Sequence, residues 1–239
     1  MCNPALRLSI VIPTLNESAA LPLLLADLAP LVGTLAEVVV SDGSSTDDTV
    51  AIAVAAGARV VVAPRGRGAQ LREGAAAARG SVLAFFHADI RLDTVAIAVL
   101  AELLATDGVQ RDAWAFRLRV DGAARAYRLV EAGANLRSQL FGLPYGDQGL
   151  IVSRNRYEAA GGYAALPLME DVALVRSLRP SGSVRLLSAH VRVSPRRWER
   201  DGVWRRSSRN LVLLGRYLTG TSPDTLAREY EQMSGHPPA

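Results

Sequence analysis

The sequence predicts an α/β domain built on a mostly parallel sheet flanked by helices, with a helical extension at the C-terminal end. Three observations carry this prediction. Short apolar runs alternate with helical segments at βαβ spacing through the first half of the chain. Acidic, Gly-rich or Asn-rich turns follow directly on the ends of those runs, where open α/β sheets build their sites. The last forty residues carry a two-faced helical pattern and no further strand signal.

Taken in order, Leu8 to Ile12 reads as a strand that Pro13 ends, and Asn16 or Ser18 is expected to cap a helix over Ala19 to Leu28. Glu37 to Val40 is the second strand, followed by Ser41-Asp42-Gly43-Ser44-Ser45-Thr46-Asp47-Asp48 and a helix over Thr49 to Ala56. Arg59 to Ala63 is the third. Parallel pairing and right-handed crossovers follow from this alternation. The Gly-rich turn Pro64-Arg65-Gly66-Arg67-Gly68 opens an alanine-rich helix, where free backbone N–H groups and Arg67 favour an anion; a plain loop is the competing reading. It does not meet the dinucleotide-binding spacing.

The run Val82 to Phe86 has the bulk of a strand covered on both faces and gives way abruptly to His87-Ala88-Asp89. Asp89 therefore stands at the carboxyl end of a strand, where a carboxylate can hold Mg²⁺ or Mn²⁺. The alternative is a helix-capping Asp. Val95 to Leu104 and Ala123 to Leu140 read as helices, Ala113 to Val120 and Gly149 to Ser153 as strands, and Phe141 to Gln148 as a loop. Glu170 and Asp171 precede a helix over Val172 to Leu178, either complementing its dipole or serving as a base at the mouth of a site.

Composition bounds the rest. With 49% apolar and 21% charged residues, the 239-residue chain is globular and long enough for a full core. The lone cysteine, Cys2, excludes an internal disulfide framework and fits a reducing cytoplasm. No stretch reaches the length of a membrane span, so the protein is expected to be soluble or peripheral. All 27 basic residues are arginine, which removes Schiff-base and P-loop lysine chemistry. No nucleic-acid partner is expected from the net charge of +4.

Four motifs stand in order: Ile10-Val11-Ile12-Pro13-Thr14-Leu15-Asn16-Glu17, Val39-Val40-Ser41-Asp42-Gly43-Ser44-Ser45-Thr46-Asp47, His87-Ala88-Asp89 and Met169-Glu170-Asp171. Together they resemble glycosyltransferase family 2 over residues 8 to 198, and within it the compact bacterial members found near radical-SAM genes. The resemblance implies a GT-A fold, with a Rossmann-like sheet, and inverting transfer from a nucleotide-diphosphate sugar (UDP- or GDP-sugar) with Mn²⁺ or Mg²⁺. It implies a catalytic domain over 1–198 and a helical extension over 199–239 packed on it.

Carried over position by position, Pro13, Thr14, Asn16 and Glu17 resemble the nucleotide-contacting loop. Asp42 resembles the acid that hydrogen-bonds the base or ribose, with Gly43 and Ser44 in the same pocket. Arg67, Gly68 and Gln70 match the segment near the diphosphate and ribose. His87, Ala88 and Asp89 stand where the family has Asp-x-Asp, so Asp89 is the implied metal ligand and His87 replaces the first acid. Asp171 matches the catalytic base, with Glu170 as the alternative. Gly146, Asp147 and Gln148, with Arg197 and Trp198, are implied to contact acceptor and donor sugar. Ser194 takes the place of glutamine in a Gln-x-x-Arg-Trp motif, which argues against a processive polymer synthase. A sugar-1-phosphate nucleotidyltransferase would need a Gly-rich loop after the first strand, and a non-catalytic binding protein would need no base.

In the extension, Trp204, Ser207, Leu211, Leu214 and Leu218 fall on one helical arc, with Arg205, Arg206, Arg209 and Arg216 opposite. The favoured expectation is that this apolar stripe docks on the catalytic domain and the arginines face solvent. The competing reading lays the stripe on a bilayer surface, bringing the site to a lipid-linked acceptor.

Overall fold

The computed structural model describes residues 7–106 and 108–234. Cys2 lies outside them. Leu8–Thr14 (β1), Ala36–Asp42 (β2), Arg59–Val62 (β3) and Val82–Phe85 (β4) form the parallel half of an eight-stranded sheet. They are linked by the helices Leu21–Leu28 (α1), Thr49–Ala55 (α2) and Arg67–Ala77 (α3). The mixed half contains Ile90–Leu92 (β5), Ala113–Val120 (β6), Leu150–Ser153 (β7) and Val184–Val193 (β8). Between these strands run Thr94–Ala105 (α4), the single turn Gly108–Arg111 (α5), Arg125–Phe141 (α6), Arg154–Ala159 (α7) and Glu170–Leu178 (α8). Arg196–Asp201 (α9), Val203–Leu218 (α10) and Pro223–Ser234 (α11) follow.

The strand order is β3-β2-β1-β4-β7-β6-β8-β5, with β7 antiparallel to both β4 and β6. From β1 the chain steps outward to β2 and β3, then returns through α3 to pair β4 on the other side of β1. That reversal is a topological switch point, and the carboxyl ends of β1 and β4 border the crevice it leaves. The pleat divides the apolar runs between two cores. Ile10, Ile12, Val38, Val40 and Phe86 pack with α1 and α4 on one face; Val11, Val39 and Phe85 pack with α3, α8 and α10 on the other. Burying each of these large side chains contributes roughly 1.5–3 kcal/mol.

Two local expectations are corrected. Pro13 does not end β1, which runs on to Thr14 in register with Asp42. The pairing with β4 stops at Val11 opposite Phe85, so at Pro13 the strand has a neighbour on one side only and the missing N–H leaves no gap in the ladder. Asn16 and Ser18 do not cap α1, which starts after Ala20 without a side-chain cap. Asn16 instead takes a left-handed conformation (φ 56°), and its Oδ1 accepts from the Thr46 N–H at 2.8 Å, tying the loop after β1 to the loop after β2.

The C-terminal helix reverses part of the favoured expectation. Leu214 of the stripe is buried as expected, but Trp204, Leu211 and Leu218 are exposed, whereas Arg206 and Arg209 are buried together with Leu213. The cause lies just ahead of the helix, where Asp201 Oδ2 accepts from Arg206 Nη1 and Arg209 Nη2, each at 3.0 Å. Arg206 also stands over the Trp198 ring, 5.7 Å from its centroid, and Arg209 over Tyr230 at 4.7 Å. Only Arg205 and Arg216 lie on the surface, Arg216 paired with Glu229.

Candidate active site

The loops after β1 and β2 are laced into one ledge. Asp42 is buried at the end of β2, and its Oδ1 accepts from Thr14 Oγ1 at 3.0 Å and Ser45 Oγ at 2.5 Å. Its Oδ2 accepts from the Ser45 N–H at 2.8 Å. The Glu17 N–H donates to Thr49 Oγ1 at 2.8 Å. Ser44 takes a left-handed conformation (φ 68°) at the lip, and the carbonyl of Gly43 accepts from Arg65 Nε at 3.3 Å. Thr14, Asp42, Gly43 and Ser44 are thus brought together, but Asp42 spends its acceptors on shaping the ledge. Gln70 is committed as well. It is buried, and its Nε2 bridges the carbonyls of Thr14 at 2.6 Å and Ser41 at 3.1 Å, binding α3 to the ends of β1 and β2. Gly68 is required by packing, since a Cβ there would collide with the backbone carbonyl of Ala164.

A cavity of about 130 Å³ is walled by Arg67, His87, Tyr145, Gly146, Asp147, Asp171 and Arg197, with Arg206, Asn210, Leu213 and Tyr230 also lining it. Asp171 stands in the first turn of α8, after Met169 has turned the chain through φ 65°. Its Oδ2 accepts from the Gly146 N–H at 2.8 Å and its Oδ1 from the Val172 N–H at 2.7 Å. Two backbone donors fix the carboxylate, and each oxygen keeps a further lone pair. Only glycine fits at position 146, because a Cβ would come within 2.7 Å of His87 Nε2.

Glu170 points elsewhere. It is buried against Arg67, whose Nε donates to Glu170 Oε1. Burial pushes the Glu170 carboxyl up, against the pull of Arg67. Burial alone would lower the Arg67 guanidinium, but Glu170 and Asp171 raise it, so it stays cationic. With its carboxylate engaged there, Glu170 is a poor candidate for the base, and its contact instead orients Arg67 at the start of α3.

Asp89 follows β4 by four residues, and its Oδ2 lies 3.6 Å from Arg197 Nη2. His87 is held well below the ordinary imidazole range, by burial first and then by Arg67 and Arg197, so its ring is neutral and free to act as a donor atom. The Glu17 carboxyl is pushed up to about 7, by burial and then by Asp89, against Arg197. Among the described residues no group of three or more His, Cys, Asp or Glu is arranged to hold an ion. A single carboxylate such as Asp89 nonetheless suits Mn²⁺ or Mg²⁺, which keep most positions for water and phosphate oxygens, and His87 lines the adjoining cavity. Ala88 is buried and serves as spacer.

The sugar-side residues divide. Asp147 lines the cavity, and its Oδ1 is buried without a hydrogen-bond partner. Burial raises its carboxyl, opposed by Arg137 and helped by Asp171 and Asp89. Such a group calls for a donor from outside the protein. Gln148 is corrected: it is fully buried, with Oε1 accepting from Ser138 Oγ at 2.7 Å and Nε2 donating to the Phe116 carbonyl at 3.0 Å. It holds the loop of Gly146 to the sheet instead of meeting a sugar. Gln148→Met is expected to keep the volume, strand both partners, and cost about 1–3 kcal/mol, read as a lower urea midpoint at unchanged m-value. Trp198 is buried against Tyr127, with ring centroids 6.4 Å apart, and is not part of this cavity wall.

The sequence reading missed Tyr145, Arg206, Asn210 and Tyr230. Tyr145 carried the one available signal, an aromatic beside Gly146-Asp147 in a loop; its ring is covered by the Arg137 guanidinium at 3.5 Å.

A family model described as glycosyl transferase family 2 matches residues 9–152, which span β1 through most of β7. This chain belongs to glycosyltransferase family 2. Among curated relatives, glucosyl-3-phosphoglycerate synthase of Mycolicibacterium smegmatis is 38% identical over 133 residues, covering 49% of this chain and 44% of that protein. An uncharacterized glycosyltransferase of Mycobacterium tuberculosis is 42% identical over 86 residues, covering 36% of this chain and 38% of that protein. The chain thus spans less than half the length of these curated relatives. Glucosyl-3-phosphoglycerate synthase of M. tuberculosis, solved with Mn²⁺, UDP and glucosyl-3-phosphoglycerate, superposes with a TM-score of 0.54 at 25% identity, covering 79% of this chain and 70% of that one. TarS of S. aureus, solved with UDP-GlcNAc, gives a TM-score of 0.60 at 18% identity, covering 79% of this chain and 58% of that one. The second likeness bears on the fold alone, and both neighbours share the GT-A architecture expected for the family.

Proposed function

We propose that this chain transfers a sugar from a nucleoside-diphosphate sugar to an acceptor hydroxyl, with inversion at the anomeric carbon and Asp171 as general base. The observation that carries the reading is the cavity's polarity: a carboxylate fixed by two backbone N–H groups shares the cavity with Arg67, His87 and Arg197, and Arg197 lies 3.6 Å from Asp89. Asp171 takes the acceptor proton as the acceptor oxygen bonds to the anomeric carbon; the bond from that carbon to the diphosphate breaks, and its electrons leave with the phosphate oxygen. Arg67 and Arg197 balance the charge on the departing diphosphate. A divalent cation on Asp89, with His87 beside it, would add Lewis-acid neutralisation there. Asp147 Oδ1 accepts a sugar hydroxyl, and the ledge of Pro13, Thr14, Asn16, Asp42, Gly43 and Ser44 carries the nucleoside.

The binding of UDP with Mn²⁺ by the mycobacterial synthase supports UDP as the nucleotide and Mn²⁺ as the ion. The extension from residue 199 belongs to the working catalytic unit in this reading, because Arg206, Asn210 and Tyr230 complete the cavity wall. A cytoplasmic setting and a kinship with the compact bacterial members near radical-SAM genes complete the proposal. No described helix is long and apolar enough to cross a membrane.

The test is release of UDP from UDP-sugars by the purified protein with and without Mn²⁺. Asp89→Ala is expected to weaken Mn²⁺-dependent UDP binding in calorimetry far more than metal-free binding. Equal losses in both would remove the metal from Asp89. Pyrophosphate release from a nucleoside triphosphate and a sugar phosphate would point to a nucleotidyltransferase, and UDP-sugar binding without turnover to a non-catalytic protein.

A further inference from the structure

The α6 and α10 helices leave apolar stripes uncovered on the two sides of one groove. Leu129, Leu136 and Leu140 of α6 and Trp204, Leu211 and Leu218 of α10 line it, and each is between 45% and 66% exposed. The groove holds about 780 Å³, well within the range of ligand sites. A contiguous apolar surface of this kind marks a binding face.

Two features identify its occupant. First, the groove adjoins the catalytic cavity: Tyr145, Asp147 and Asn210 wall both, and Asp171 lies in the cavity they share. Second, its rim is cationic. Arg137, Arg176 and Arg179 line it, and none of the three has an ion-pair partner among the described residues. Arg137 donates to the Leu143 carbonyl at 3.0 Å and shares the lining with Asp147, whereas Arg179, among the described residues, donates only to the Phe141 carbonyl and faces no acid in the groove. A second copy of this chain would set arginine rim against arginine rim, and an uncharged apolar partner would leave the rim unanswered.

We propose that this groove binds the chain of an amphiphilic acceptor, a long acyclic hydrocarbon carrying a phosphate and, beyond it, the accepting hydroxyl, with the phosphate against Arg137, Arg176 and Arg179. The inference rests on the transferase reading for its purpose but not for its test. The apolar chain lies between α6 and α10 while the hydroxyl-bearing end beyond the phosphate reaches past Tyr145 toward Asp171. Charge at the rim and hydrocarbon in the groove each raise affinity, so both parts of the ligand are needed.

Tryptophan fluorescence of the full chain, titrated with dodecyl phosphate below its micelle concentration, reads the site through Trp204. A saturable blue shift is expected, weakened at least tenfold by Leu211→Asp or Leu140→Asp and severalfold by Arg176→Gln with Arg179→Gln. Both leucines are surface residues, so the variants fold, and their UDP affinity with Mn²⁺ is expected to match the parent. Inorganic phosphate and 3-phosphoglycerate are expected to give no shift, and the chain is expected to sediment as a monomer. An absent shift, a shift unchanged in the leucine variants, equal binding of 3-phosphoglycerate, or a dimer dispersed by Leu211→Asp would each overturn the proposal. None of these readouts depends on turnover, so a lack of UDP release would count against the transferase reading alone.

Discussion

Asp171→Asn is expected to lower sugar-transfer turnover by about 10² to 10⁴ while UDP affinity stays near that of the parent. The substitution keeps the size and position of the side chain but removes its basicity. The amide can still accept from the Gly146 N–H, which the Asp171 carboxylate meets at 2.8 Å, but its NH₂ cannot also accept from the Val172 N–H. A loss of about 0.5–1.5 kcal/mol in stability is therefore expected beside the loss of rate. Single-turnover kinetics with the nucleotide-sugar held saturating separates the two effects, since chemistry slows and binding does not. Parent-like turnover by this variant would move the role to Asp147, whose Oδ1 stands buried and unpartnered in the same wall.

Asp201→Ala is expected to destabilise the fold by about 3–5 kcal/mol, the largest stability effect of any single side chain considered, because it leaves two buried guanidiniums without their counter-charge. The Asp201 side chain is 8% exposed and its partners Arg206 and Arg209 are 11% and 5% exposed, so water cannot take over the lost contacts. The same cluster sets an acid limit. Hydrogen bonds from Arg200 first, and then from Arg209 and Arg206, hold the Asp201 carboxyl far below the ordinary carboxylate range against the effect of burial. A depressed folded-state value means that this stability is fully present above the unfolded carboxylate range near pH 4 and is lost as the pH falls below it. Thermal melts of parent and Asp201→Ala are expected to keep a constant gap from pH 7 to about pH 4 and to draw together only as the pH falls further. A gap that stays constant well below about pH 4 would show that the cluster does not titrate with folding.

The parallel half of the sheet was legible because β1, β2 and β4 are buried on both faces, so burial writes each as an unbroken apolar run. The ledge was legible for a related reason: carboxylates and glycines at strand ends have few uses other than turns and ligands. Motif position does not reveal where a side chain points. Gln148 and Gln70 stand in motifs that suggest ligand contacts, yet both amides are consumed by backbone carbonyls of the sheet. Glu170 and Asp171 are adjacent and chemically alike, and only the helix start sends one to Arg67 and the other to Gly146. The α10 helix failed for a different reason. Periodicity finds two faces but not which one turns inward; Asp201, outside the periodic segment, reversed the choice by pairing the arginines.

The strand order also governs when the sheet can be finished. β5 ends the sheet and pairs with β8, Ile90 opposite Val193, so an early strand has no partner until a much later one arrives. β8, which begins at Val184, must in turn insert between β5, which ends at Leu92, and β6, which ends at Val120. Contacts of such long sequence separation close slowly, because loop entropy is spent before any pairing returns it. The nascent chain therefore carries the edges of β5 and β6 unpaired while the parallel half is already able to form, and that interval is where an unfinished copy is open to aggregation.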